Sequence, residues 1–70
     1  MQAPTPRQIK DARDELGMSQ AQFAKAFRIN VRTLQGWEIG NSRPGGAAKV
    51  LMWLICNAPK TILKLLQGAN

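Results

Sequence analysis

The 70-residue chain has no histidine and no tyrosine, a single cysteine, and only four acidic residues. Each scarcity excludes a class of chemistry. One cysteine, Cys56, without histidine cannot build a zinc site, a disulfide framework or a Cys–His nucleophile pair. The acids are Asp11, Asp14, Glu15 and Glu38. The first three form a small acidic spot, and no spacing among the four suits a metal cage. No nucleophile–base or acid–base pair emerges, so the chain is not expected to be an enzyme and no cofactor is implied. Long apolar runs are also missing. The longest, Val50–Cys56, has seven residues, against about 20 needed to span a bilayer. No apolar export segment opens the chain. Membrane insertion is therefore not expected, and the expected setting is a reducing cytoplasm.

What is abundant is positive charge. Ten Lys and Arg against four acids leave a formal net charge of +6, which favours a polyanionic partner. A chain of this length makes one domain with one small core, and burying roughly 60% of its unfolded surface leaves thin stability. Self-association is one remedy.

The punctuation predicts five short helices in an all-α bundle. Thr5 is a good N-cap, Pro6 suits the first helical position, and Gln8 stands three after the cap. Ile9, Ala12 and Leu16 follow at helical spacing, and Gly17 is expected to end the helix near residue 16 at positive φ. Ser19 and Gln22 repeat the capping pattern before a helix over about 20–27, with Phe23, Ala24 and Phe27 on one face. After the break Arg28-Ile29-Asn30, with Asn30 as cap, a third helix covers about 31–39. It turns Leu34 and Trp37 inward and stops at Gly40. The segment Asn41–Gly46 reads as a loop. A fourth helix over about 46–56 has Val50, Leu51, Leu54 and Ile55 apolar, with Val50, Leu51 and Leu54 expected inward. Asn57 is expected to cap a fifth helix running from about Pro59 to just before Gly68.

Residues 19–40 are the informative segment. Two short helices joined by three residues can place the second in the major groove of DNA. Its outward positions are Val31, Arg32, Gln35 and Gly36. Arg32 suits guanine O6/N7, Gln35 suits adenine N6/N7, and Val31 suits a thymine methyl or internal packing. Gly36 costs about 1 kcal/mol against Ala in a helix; a physical reason for it would be close approach to phosphate, base or a packed neighbour, and the alternative is neutral drift. The helix starts at Ser19–Gln22 and Asn30–Thr33 can each receive a phosphate. Ser19, Gln20, Asn30 and Thr33 are the candidates there, with Arg28 in the turn and Arg43 in the loop adding charge. Such contacts position the protein without choosing a sequence.

The pattern Ser19-Gln20-x-x-Phe23-Ala24, Asn30-x-x-Thr33-Leu34-x-x-Trp37-Glu38-x-Gly40 and Arg43-x-Gly45 resembles the Cro/C1-type (Xre-like) helix-turn-helix family. It is most similar to the small antitoxin-like regulators of the HigA kind. The resemblance covers about residues 6–57. It implies a lambda-repressor-like fold, with Gln20 and Thr33 on phosphate-binding positions and Val31, Arg32 and Gln35 on base-facing ones. It also implies a homodimer on a pseudo-palindromic operator. Phe27-Arg28 replaces the family's more usual apolar-Gly ending of the second helix, so a differently shaped turn is expected.

Two structural expectations complete the reading. Arg13 lies near the Ile9–Leu16 stripe and Glu38 follows Trp37, so a partly buried Arg13–Glu38 ion pair is expected between helices 1 and 3, as the resemblance also implies. Trp53, Ile62, Leu65 and Leu66 exceed what one tiny core needs, and a dimer interface within residues 47–67 accounts for them. The alternative is a last helix that wraps back and buries Trp53 within the monomer.

The leading functional expectation is a transcriptional regulator, an autorepressor that binds double-stranded DNA as a homodimer. The alternative is an antitoxin that neutralises a cognate toxin, with or without operon control. RNA binding is disfavoured because Phe23, Phe27 and Trp37 are all required for packing, leaving no aromatic platform for bases.

Overall fold

The computed structural model describes residues 1–69. Five helices follow one another: α1 (Pro6–Glu15), α2 (Gln20–Ala26), α3 (Val31–Ile39), α4 (Ala47–Asn57) and α5 (Pro59–Gln67). Local chemistry explains the starts of the first three. Thr5 accepts from the amide of Gln8 while the Gln8 side chain accepts from the amide of Thr5, a reciprocal cap. Ser19 and Gln22 repeat it on α2. Asn30 Oδ1 accepts from the amides of Arg32 and Thr33.

The ends of these helices share one device. In each, a residue at positive φ donates back to the carbonyl three before it, and the next residue donates to the carbonyl five before it: Gly17 and Met18, Arg28 and Ile29, Gly40 and Asn41. Phe27-Arg28 therefore does not reshape the turn, contrary to the expectation. Arg28 adopts the left-handed conformation itself, at φ 59.

The core joins α1 (Ile9, Ala12), α2 (Phe23, Ala24), α3 (Leu34, Trp37) and α4 (Met52, Ile55), with Phe27 from the turn. The Phe23 and Phe27 rings lie 4.7 Å apart at 53°, a tilted pairing favoured by their quadrupoles. Helix α1 packs on α3 and α4, α2 on α3, and α5 on α4. The α2–α3 unit is thereby backed by α1 on one side.

Two expectations for α4 and α5 are corrected. The inward face of α4 carries Met52 and Ile55, both fully buried, while Val50 (45% exposed) and Leu54 (40%) turn out towards solvent beside Trp53. Helix α4 is apolar nearly all round, so its pattern alone does not fix which face is inside. Asn57 does not cap α5. Its Nδ2 donates to the carbonyl of Trp53 at 2.8 Å within α4, and Ala58 stands at the cap position without a side-chain bond. Pro59 at the first turn of α5 removes one donor that would otherwise need a partner.

Candidate nucleic-acid interface

Helix α3 presents two faces of opposite character. Leu34, Trp37 and Glu38 are buried. Arg32, Gln35 and Ile39 are exposed and, with half-buried Gly36, follow the i, i+3, i+4, i+7 spacing of a single stripe. Val31 and Thr33 flank this stripe and are also exposed. Ile39, 69% exposed, is the member that the sequence reading missed. The signal was available: it stands seven after Arg32, on the side away from Leu34 and Trp37.

A partly buried ion pair anchors the far end of α3. Arg13 Nε donates to Glu38 Oε2 at 3.0 Å and Nη2 to Oε1 at 2.8 Å, a two-pronged geometry that suits guanidinium and carboxylate. Glu38 is 2% exposed, while Arg13 keeps an edge in solvent. The third nitrogen, Nη1, donates to the carbonyl of Met18 at 3.2 Å, so one side chain ties α1, the turn before α2, and α3. The Glu38 hydrogen bond raises the Arg13 pKa; desolvation opposes it, and the charges of Glu38 and Asp14 reinforce it.

The same carboxylate reaches the surface through amides. Gln20 Nε2 donates to Glu38 Oε1 at 3.3 Å, and Gln35 Nε2 donates to Gln20 Oε1 at 3.5 Å. Gln20, expected as a phosphate contact or a capping neighbour, is half-buried and joined to the interior.

The other candidate contacts occupy distinct settings. Ser19 Oγ and Asn30 Oδ1 are occupied by capping. Ser19 keeps its O–H and Asn30 its Nδ2 as outward donors. The caps also claim the amides of Gln22, Arg32 and Thr33, so fewer backbone N–H groups remain open at these helix starts than expected. Arg28 and Arg43 are exposed. Gly36 has a packed neighbour: a Cβ placed there would lie 3.1 Å from Ser42 Oγ. Its carbonyl accepts from the amides of Asn41 and Ser42 at 3.0 and 3.4 Å.

Trp53 (38% exposed), Val50 and Leu54 form an apolar strip along α4, and Leu65 is 65% exposed on α5. Ile62 and Leu66, also expected in an interface, are partly buried and pack against the core. Among the described residues no helix is long and apolar enough to cross a membrane.

Comparison with known proteins agrees with this geometry. A family model described as helix-turn-helix matches residues 9–47, which hold α1 from Ile9 onward and all of α2 and α3. Antitoxin HigA-2 of Vibrio cholerae serotype O1 is 36% identical over 58 residues, 83% of this chain and 56% of that protein. The chain thus spans about half the length of this curated relative. With the fold, the match over its first three helices and this relative together, the chain belongs to the helix-turn-helix family, as a Cro/C1-type (Xre-like) regulator domain resembling HigA antitoxins.

Proposed function

We propose that the chain is a transcriptional regulator that binds duplex DNA sequence-specifically, with α3 as the element in the major groove. The observation that carries this reading is the division of α3: Leu34, Trp37 and Glu38 are buried while Arg32, Gln35 and Ile39 are exposed. The net charge of +6 suits the phosphate backbone. Arg32 and Gln35 offer donors and acceptors to base edges, and Val31 and Ile39 offer apolar contact to thymine methyls. Ser19, Gln20, Arg28, Asn30, Thr33 and Arg43 would supply the phosphate contacts.

The assembly that fits is a homodimer joined through exposed apolar residues of α4 (Val50, Trp53, Leu54) and α5 (Leu65). It would set two copies of α3 in successive major grooves about 34 Å apart on a palindromic operator. Occupying a promoter, often that of its own operon, such a dimer represses by excluding polymerase. Selection of bound sequences from a random duplex library tests the reading. A two-fold symmetric site is the expected result, and Arg32→Ala should relax preference within it. If Arg32→Ala leaves affinity and preference intact, α3 does not read DNA. Sedimentation tests the dimer: a single 7.7 kDa species at tens of micromolar would remove it.

A second reading rests on the relative's description as an antitoxin. The chain then also neutralises a cognate toxin. Co-purification of a small basic partner would support this role.

A further inference from the structure

The exposed amide of Gln35 is joined to the partly buried ion pair by a chain of hydrogen bonds whose direction chemistry dictates. An ionised carboxylate only accepts. Glu38 Oε1 already accepts from Arg13 Nη2 at 2.8 Å, and its bond with Gln20 at 3.3 Å must therefore be donated by Gln20 Nε2. That assignment turns Gln20 Oε1 towards Gln35. An oxygen facing an oxygen would repel, so Gln35 turns its Nε2 inward and donates across 3.5 Å. While the carboxylate stays in place and both contacts are made, amide nitrogen and oxygen are assigned at each glutamine.

We propose that Glu38, acting through Gln20 as a positioning residue, fixes the polarity of the Gln35 carboxamide and thereby sets which purine Gln35 accepts. This rests on the DNA-binding reading above and deepens it. With one N–H of Gln35 engaged, its Oε1 and a single N–H remain for a base. That pattern matches adenine, which offers a donor at N6 and an acceptor at N7. Guanine offers two acceptors at the same edge, O6 and N7, and meets an oxygen at one of them. A freely solvated glutamine could donate both its N–H groups to guanine O6 and N7; this one has committed one of them to Gln20. The relay also gives Gln20 two duties. Its second N–H remains free for a phosphate, so backbone contact and base choice share one side chain.

The test uses the full chain and three proteins: unaltered, Gln35→Ala and Gln20→Met. Methionine keeps the length of the Gln20 side chain and leaves the Arg13–Glu38 fork in place. Competition binding with each of the four base pairs at every operator position locates the pair whose preference Gln35→Ala removes. Adenine over guanine is the expected preference there in the unaltered protein. In Gln20→Met that discrimination should fall roughly fivefold or more, beyond any loss of affinity shared by all four bases. The relay is overturned by a guanine preference at that pair, by a Gln35→Ala variant that changes no position, or by a Gln20→Met loss equal for all four bases. A chain that binds duplex with such a uniform loss fails the relay alone. A chain that binds no duplex fails the DNA reading and the relay together.

Discussion

The amide of Ile29 donates to the carbonyl of Ala24 at 2.8 Å, and the chain closes that loop by carrying Arg28 through left-handed backbone at φ 59. The equivalent residues after α1 and α3 are Gly17 and Gly40, which reach this region without a Cβ clash. Arginine meets a cost of about 1 kcal/mol there. Arg28→Gly should stabilise the fold by about 0.5–1 kcal/mol in urea unfolding, after allowance for the freer unfolded chain. Arg28→Ala retains the clash and should give no gain. On the proposed DNA-binding reading, the same Arg28→Gly protein should bind duplex DNA more weakly and with a shallower salt dependence, because the proposed Arg28 phosphate contact would be lost. Destabilisation by glycine would contradict the account.

Removing half of the Arg13–Glu38 fork leaves a guanidinium facing an uncharged partner in a largely dry setting. Glu38→Gln should cost about 3 kcal/mol of stability. A double variant, Arg13→Met with Glu38→Leu, should lose less than the sum of the two single changes, because neither charge is then stranded. A cost for Glu38→Gln below about 0.5 kcal/mol is the behaviour of a solvent-exposed pair and would mean that the fork carries little of the α1–α3 packing.

Gly36 and Ser42 make a second coupled pair. A Cβ at position 36 would sit 3.1 Å from Ser42 Oγ, tighter than ordinary contact, while alanine gains about 1 kcal/mol of helix propensity. The two effects oppose each other in Gly36→Ala alone. Once Ser42→Ala has removed the hydroxyl, Gly36→Ala should gain roughly 0.5–1 kcal/mol more than it does in the unaltered background. Thermal unfolding of the four proteins of this cycle measures the difference. Additive effects would show that the serine does not limit residue 36.

The elements that the sequence made legible are those whose ends are written in local chemistry. Thr5 with Gln8, Ser19 with Gln22, Asn30, Gly17 and Gly40 each mark a boundary through one side chain or one permitted φ, and the first three helices lie where these signals put them. The inward Leu34 and Trp37 were legible because polar residues surround them. Helix α4 was not, since Val50–Cys56 is apolar at every step. Which face packs is decided by α1 and α5 rather than by period. The attachment of Gln20 to Glu38 was equally hidden. Eighteen residues separate them, and a glutamine beside a cap looks the same in sequence whether it faces phosphate or carboxylate. The position of Arg28 was read, but its effect was misjudged. The hydrogen-bond loop between Ala24 and Ile29 is stronger than the steric preference of one side chain, so the backbone kept its shape.

Cys56 supplies a prediction that depends on pH. It lies half-buried beside Trp53 and Asn57, in a groove of about 440 Å³ between α4 and the start of the chain. Burial pushes its thiol from 9.0 up to about 11 because the thiolate is poorly solvated there. The folded chain therefore retains this proton at pH values where the unfolded chain gives it up. The thiol's effect on stability is constant below about pH 9, and stability falls as pH rises from there towards about 11. Cys56→Ala should remove that part of the slope, which urea unfolding at pH 8, 9.5 and 10.5 can resolve against the unaltered chain. Reactivity follows the same shift. At pH 8, alkylation of Cys56 by iodoacetamide should run roughly a hundredfold slower than that of an exposed thiol of ordinary pKa. It should reach the exposed rate once urea unfolds the chain. Fast alkylation of the folded protein would place the sulfur in water and remove both expectations.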